Sequence, residues 1–105
     1  MPNKNKNNAK SHEHGADSHK TVDHDEIRKW VEKRGGHPST VKRTMKNHEP
    51  GLLRIDFPGY SGEGTLEEIT WEDFFEKFDK EELAFLYQNE TKDGKESRFC
   101  KLIAR

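Results

Sequence analysis

Apolar side chains recur along this chain at two different spacings, and the clearest examples lie between residues 51 and 78. Leu53, Ile55 and Phe57 alternate with polar residues, and this period of two predicts a half-buried strand over residues 51–57. Large aromatic residues then recur every three or four positions, which predicts one buried face of a helix over residues 71–82: Trp71, Phe74, Phe75 and Phe78.

A first helix is predicted over residues 24–34. Asp23 and Glu26 are spaced as an N-cap residue and its reciprocal partner. Ile27, Trp30 and Val31 then fall on one helix face, and the Gly-Gly pair at residues 35–36 can adopt the left-handed conformation that ends a helix. This segment therefore reads as an amphipathic helix with its own start and stop signals.

The remaining strands follow from short β-branched or apolar runs between turn residues. Residues 39–45 predict a strand that pairs antiparallel with residues 51–57 across a polar turn at 46–51. A short strand or turn is predicted over residues 66–69, and a strand at 83–88 mirrors one at 98–104 across a turn that contains Asp93 and Gly94. The order α-β-β-(β)-α-β-β predicts an α+β fold, with two helices packed on a small, mainly antiparallel sheet.

Composition divides the chain at residue 22. Charged residues make up 37% of the sequence and hydrophobic residues 29%, yet every aromatic residue lies beyond residue 22. Residues 1–22 are polar and have little to bury, so we predict a disordered tail there. Residues 23–105 are predicted to form a single small domain.

Cysteine usage and hydropathy indicate a compartment. Cys100 is the only cysteine and has no partner for an internal disulfide, which is typical of a reducing cytoplasm. No apolar run approaches the length of about 20 residues that a membrane helix needs, and the N-terminus lacks the apolar core of a secretion signal. We expect a soluble cytoplasmic protein, monomeric and without a membrane contact.

Motifs for catalysis and cofactor binding are incomplete. The run from Gly59 to Glu63 is similar to a nucleophile elbow, but Glu63 stands where the last glycine belongs, so Ser61 reads as a turn residue. The same loop lacks the Lys-Ser/Thr ending of a phosphate-binding loop. Its GxxG spacing also lacks the basic residues and flanking helices of the RNA-binding class that uses it. We predict no catalytic residue and no cofactor.

Histidines near the N-terminus are the only metal candidates that the sequence suggests. His12, His14, His19 and His24 lie close to Glu13 and Asp17, a composition that can pick up divalent transition metals. Their spacing does not match a structural zinc site, and a single cysteine cannot supply a thiolate set. We therefore predict no dedicated metal site.

The loop at residues 58–64 is the first candidate for partner binding. It carries Tyr60, Ser61 and Glu63 between glycines. A plain connection between two elements does not require this combination of glycines, an aromatic residue and an acidic residue. The Tyr60 ring can stack on a base, a sugar or a partner side chain, or it can fold back over the core. Both readings stay open at the level of sequence.

Basic residues in the predicted strands are the second candidate. If they share one face they can contact phosphates, and if they are dispersed they only offset the acidic second helix. The residues concerned are Lys42, Arg43, Arg98, Lys101 and Arg105.

From Asp23 to Arg105 the chain resembles a family of short, mostly bacterial proteins that are often labelled 1,4-alpha-glucan branching enzyme. The resemblance rests on DHDEIRKWVEKRGGHPSTVK, GLLRIDFPGYSGEGTLEEITWEDFFEKF and LAFLYQNETKDGKESRFCKLIAR, about four fifths of the sequence. It assigns no functional residue. A branching enzyme builds its site on a barrel of about 250 residues, more than twice this length, so the label does not imply an independent catalyst.

Three functions therefore remain as hypotheses. The first is a non-catalytic binding or adaptor module that contacts a macromolecular partner through the 58–64 loop or a sheet face. The second is a nucleic-acid-binding protein that uses the basic strands and the Lys-rich tail without sequence preference. The third is an accessory factor of glucan metabolism, as the family label implies.

Overall fold

The computed structural model describes residues 17–59 and 64–105, which form an α+β fold of two helices and two three-stranded antiparallel sheets. The fold class that the sequence predicts is confirmed. Neither described helix is long and apolar enough to cross a membrane. In chain order the elements are β1 (Ser18–Thr21), α1 (His24–Lys33), β2 (His37–Val41), a 3₁₀ turn (Lys42–Thr44), β3 (Leu53–Asp56), β4 (Leu66–Glu68), α2 (Trp71–Lys80), β5 (Leu83–Gln88) and β6 (Cys100–Ala104).

Helix α1 begins and ends where its signals predict, but one half of the predicted cap is wrong. The Asp23 carboxylate accepts the backbone N–H of Glu26 at 3.1 Å, as an N-cap does. The Glu26 carboxylate does not return to Asp23, because it accepts the hydroxyls of Thr21 and Tyr87. Gly35 follows the helix with φ +75°, the left-handed conformation that stops it.

Helix α2 also follows its signals. The Thr70 hydroxyl accepts the backbone N–H of Asp73 at 3.0 Å. Phe74 and Phe78 are fully buried and Phe75 is 9% exposed, so the predicted aromatic face is the packed face. Each buried ring contributes about 1.5 to 3 kcal/mol by leaving water.

Strand β2 is shorter than predicted. The prediction of a strand over residues 39–45 is wrong beyond Val41, where the chain turns into the 3₁₀ segment. The Thr44 hydroxyl donates to the carbonyl of Val41 at 2.6 Å and accepts the N–H of Leu52 at 2.9 Å, which ties the turn back to the start of β3. Asn47 and His48 form the tip of the connection with φ of 53° and 67°.

Strand β1 lies inside the predicted tail, so the prediction of disorder is wrong for residues 18–21. This strand pairs antiparallel with β5, with Lys20 opposite Leu86. The Asp17 carboxylate accepts the backbone N–H groups of Asn89 and Glu90 and anchors the start of the strand. Residues 1–16 of the predicted tail lie outside the described residues.

The strands divide into two sheets that share one core. Sheet one has the order β1-β5-β6 and sheet two the order β3-β2-β4. The inward side chains Phe85 and Tyr87 of sheet one and Leu53 of sheet two belong to a single buried cluster with Ile27 and Trp30 of α1. Since both sheets turn one face to this core, their other faces point away from it.

A buried arginine ties α1 to the connection between β5 and β6. Arg34 is 6% exposed and lies over the Trp30 ring at 4.1 Å from its centroid. Its guanidinium donates hydrogen bonds to the backbone carbonyls of Trp30, Asn89 and Ser97. Burial lowers the pKa of Arg34, with nearby anionic groups acting in the opposite direction.

Candidate binding face

The outward side of sheet one combines apolar and basic side chains. Phe85 and Tyr87 of β5 point into the core, so Leu86 between them points away from it. The strand register places Lys20 of β1 and Lys101 of β6 on either side of Leu86. Residues directly opposite on neighbouring antiparallel strands have their side chains on the same face. One row of this sheet is therefore Lys20, Leu86, Lys101.

Exposed apolar residues extend the row in both directions. Val22 lies two residues beyond Lys20 and is 46% exposed, and Phe99 lies two residues before Lys101 and is also 46% exposed. The Phe99 carbonyl accepts the N–H of Gln88, which continues the ladder between β5 and β6. Val22 follows the last residue of β1, and continuing the alternation of that strand places it on the side of Lys20. We call this surface the outer face and define it by six residues: Lys20, Val22, Leu86, Phe99, Lys101 and Ile103.

The charge on the outer face has one sign. Its two titratable residues are Lys20 and Lys101, both exposed. On the adjoining edge of sheet two, Arg54 of β3 lines a cavity of about 330 Å³ together with Lys101. The Arg54 side chain is exposed and lies on the side of β3 away from the core, because its neighbours Leu53 and Ile55 pack inward. A basic stripe therefore crosses from one sheet to the other.

The basic residues singled out from the sequence have separate environments. Lys42 and Arg43 lie in the 3₁₀ turn that follows β2 of sheet two, whereas Lys101 lies in β6 of sheet one. Arg105 donates to the Asp79 carboxylate at 2.7 Å and to the carbonyl of Leu83, so its charge is already paired. Of the predicted basic set, Lys101 is the one on the outer face.

Arg98 connects the predicted loop to the sheet region. Its guanidinium donates to the carbonyl of Pro58 at 3.0 Å and lies over the Phe57 ring at 5.6 Å from the centroid. Pro58 opens the 58–64 loop, whose flanking Gly59 and Gly64 have φ of 80° and 94°. The predicted contact residues Tyr60, Ser61 and Glu63 lie outside the described residues.

Sequence reasoning missed most of the outer face. Phe99 and Ile103 alternate with the inward Cys100 and Leu102, and this period of two was a usable signal. Lys20 and Val22 gave no such signal, since β1 carries no large inward apolar residue. The pairing of β1 with a strand about 65 residues away decides its structure, and a local pattern cannot report that.

A larger cleft lies on the opposite side of sheet two. It has a volume of about 740 Å³ and runs between the end of α1, the start of β2 and the start of α2. The Trp71 indole N–H donates to the Glu32 carboxylate at 3.0 Å in its wall. Its lining is rich in carboxylates and contains no lysine or arginine among the described residues: Glu32, Glu67, Glu68 and Asp73, with His37 and His48.

Titratable side chains near the sheets are held by structural contacts. Burial raises the pKa of the Cys100 thiol to about 12, with Arg34 acting in the opposite direction. Burial, and then the hydrogen bond to Glu26, raise the pKa of Tyr87 to about 12. Burial raises the pKa of Asp79, but hydrogen bonds from His24 and Arg105 outweigh it and leave that pKa below its usual value.

The described part of the chain contains no cluster of side chains arranged as a metal site. No group of three or more His, Cys, Asp or Glu residues there is placed to hold a metal ion. Two of the candidate histidines contact carboxylates instead: His19 lies 2.8 Å from Asp17, and His24 lies 3.0 Å from Asp79. His12 and His14 lie outside the described residues.

Comparisons with known proteins give no information on function. No family model matches the chain, no curated protein matches it, and no solved structure matches it.

Proposed function

We propose that this protein is a small, non-catalytic binding module that docks an acidic, partly apolar protein surface on its outer face. The observation that carries the proposal is the combination on one open sheet face of exposed Val22 and Phe99 with Lys20 and Lys101 around Leu86. In our proposal the module acts as a monomer in the cytoplasm.

The chemistry of the face selects the partner. Apolar side chains that stay in water in the free protein gain about 25 cal/mol for each Å² that a partner covers. The two lysines favour carboxylates in the partner, and such charges mainly speed association and reject basic surfaces. Phe99 is the proposed anchor, because aromatic side chains are enriched at protein interfaces and a few well-buried side chains contribute most of the binding free energy.

The 58–64 loop is proposed as a second contact. Arg98 immediately precedes Phe99 in the chain, and its guanidinium donates to the carbonyl of Pro58 at the base of this loop. Tyr60, Ser61 and Glu63 remain predicted contact residues on that loop.

Site-specific photo-crosslinking tests the proposal. A benzophenone amino acid replaces Phe99, and the matched control carries it at Glu72, an exposed position of α2. Cross-linking in cells should trap a partner from position 99 and not from position 72. The trapped protein is then purified and its affinity for the intact module is measured by calorimetry.

Variants of the face decide whether this complex uses it. Phe99→Ala should weaken the affinity by about 2 kcal/mol, roughly 30-fold, if the partner buries the ring. Lys20→Glu combined with Lys101→Glu should weaken it further, whereas Lys29→Glu on exposed α1 should leave it unchanged. Equal affinities for the Phe99→Ala and Lys29→Glu proteins would overturn the proposal.

Nucleic acid is the outcome that competes with a protein partner. A basic stripe next to an exposed aromatic ring is also the pattern of a surface that binds single strands. If nuclease removes all cross-linked material, and binding of an oligothymidine falls steeply with salt, the nucleic-acid function replaces the protein-binding one. The aliphatic Val22, Leu86 and Ile103 favour the protein partner.

A glucan-associated role is a second candidate, and the cleft beside Trp71 favours it. An aromatic ring with several carboxylate acceptors in one concave wall suits a polyhydroxylated ligand. Titration with a maltooligosaccharide should quench the fluorescence of the intact protein and not that of Trp71→Phe. Identical titrations of the two proteins would exclude this role.

A further inference from the structure

The two sheets turn unpaired edges toward each other. Strand β6 is the last strand of sheet one and β3 the first strand of sheet two, and each pairs with a neighbour on one side only. No ladder joins β3 to β6 in the described ranges 17–59 and 64–105. An open strand edge presents backbone donors and acceptors that a further strand can pair with.

A cavity of about 330 Å³ separates these two edges. Its walls are residues 53–55 of β3 and residues 100–102 of β6, and Phe85 of β5 also lines it. Successive side chains of a strand point to opposite faces, so a cavity that touches three consecutive residues of each strand lies against their edges. The space is therefore a gap between strands, continuous with the outer face through Lys101.

The hydrogen-bond pattern identifies the backbone groups that face the gap. The carbonyl of Leu52 accepts from Val41, so by alternation Leu53 and Ile55 turn their N–H and C=O groups toward the gap. On β6 the carbonyl of Phe99 is bonded to Gln88, so Cys100 and Leu102 turn theirs toward the gap.

Arg54 already occupies part of this edge. Its Nη1 donates to the carbonyl of Leu53 at 3.0 Å, a side-chain substitute for the N–H of a neighbouring strand. An entering strand can take over this carbonyl with its own N–H and leave the guanidinium free to pair with a carboxylate. Lys101 lies on the same outward side of the opposite wall.

We propose that the gap between β3 and β6 accepts an extended segment of the partner as an added strand, with apolar and acidic side chains in alternation. The apolar residues point inward, toward Phe85, and the acidic residues point outward, between Arg54 and Lys101. The proposal rests on the proposed function, because the segment belongs to the same acidic, partly apolar partner. This mode of recognition takes affinity from backbone hydrogen bonds and specificity from alternate side chains.

One end of the gap is closed. Beyond residue 55 the Arg98 guanidinium bridges from the start of β6 to the Pro58 carbonyl at the end of β3. Beyond residue 102 the chain offers no such bridge among its described residues, so the segment enters from the Leu53 end.

Amide hydrogen exchange on the whole chain, followed by NMR, tests the proposal with a defined peptide. The probe is the capped peptide Ser-Glu-Val-Glu-Val-Glu-Ser. One control peptide has Lys for each Glu. The other has Pro for each Val and so lacks the N–H donors that an added strand turns toward one wall of the gap. The amides of Leu53, Ile55, Cys100 and Leu102 should exchange fast in the free protein and become protected about tenfold or more with the Glu peptide.

Internal controls come from the same strands. The amides of Arg54 and Lys101 point toward β2 and β5, so they should be protected with and without peptide. Arg54→Gln should weaken binding of the Glu peptide about tenfold, the effect of losing one to two partly exposed ion pairs. Both control peptides should leave the four gap amides unprotected.

Two results would overturn the added strand. The first is protection of the four gap amides in the free protein, since β3 and β6 would then pair with each other. The second is binding of the Glu peptide without a change in their exchange. Cross-linking from Phe99 reports on the proposed function separately: a partner trapped there while the gap amides stay unchanged leaves the docking face standing and removes only the strand. If the peptide protects the gap amides but no partner is trapped at Phe99, strand addition in the gap stands and docking on the outer face is refuted.

Discussion

Replacing Arg34 with methionine should destabilise the fold by about 2 to 4 kcal/mol. The substitution keeps an unbranched stem of similar length over Trp30 but removes three hydrogen bonds to backbone carbonyls. The carbonyls of Trp30 and Ser97 lose the guanidinium as a donor, and a buried carbonyl left without a donor costs about 1 to 3 kcal/mol. Removing a buried cation returns part of this cost, because its desolvation is avoided.

The matched control is the same substitution in the same helix. Among the described residues Arg28 pairs only with Glu32, and its side chain is 55% exposed, so Arg28→Met should change the stability by less than about 1 kcal/mol. Urea unfolding followed by tryptophan fluorescence measures both variants, with an unchanged slope as the sign that only stability has changed.

Arg34→Lys distinguishes the contribution of the planar guanidinium, with its three hydrogen bonds, from the contribution of the positive charge. A lysine ammonium cannot reach three carbonyls that a guanidinium spans, so we expect a loss as large as that of methionine. Equal stabilities for Arg34→Met and Arg28→Met would refute the account of this residue. A neutral Arg34→Lys would show that the charge, and not the planar guanidinium, stabilises the connection that leads to Phe99.

Further predictions concern the core, the loop and the titrating groups. Phe75→Ala should cost about 3 to 5 kcal/mol in urea unfolding, because the ring is 9% exposed, and an unchanged midpoint would contradict the packing of α2. Tyr60→Ala should leave the melting temperature unchanged while it weakens partner affinity, and a large thermal loss would place that ring in the core. Tyr87 and Cys100 have pKa values raised to about 12, so the stability they add is complete below their unfolded values and falls as the pH rises from about 9 to about 12. Unfolding measured across that range should show this fall, reduced in Tyr87→Phe, and a flat profile would refute it. The raised pKa of Cys100 also predicts slow reaction with a disulfide reagent in the native protein and full reaction after unfolding, and rapid native labelling would contradict it.

Local signals were sufficient for the helices and for most of the strands. The Thr70 cap and the aromatic spacing of α2, and the short apolar run at residues 83–88, act within a few residues, so the sequence reports them directly. The start of β1 depends on the Asp17 carboxylate and two amides some 70 residues away, and no local pattern carries that information.

The outer face was harder to predict than the fold for the same reason. Which basic residues share a surface depends on strand register, and a one-residue shift moves a side chain to the other face. Lys101 lies on the outer face, where its basic neighbours are Lys20 and, across the gap, Arg54. The predicted basic set also included Lys42 and Arg43, which lie elsewhere, in the turn after β2.

Methyl cross-saturation by NMR tests whether a partner docks on the outer face. The purified partner, protonated, is saturated while the deuterated module carries labelled methyl groups on Val, Leu and Ile. Strong transfer is expected to Val22, Leu86 and Ile103, and none to Leu66, a half-buried residue of β4 at the other edge of sheet two. Transfer to Leu66 with none to the other three would refute docking on the outer face.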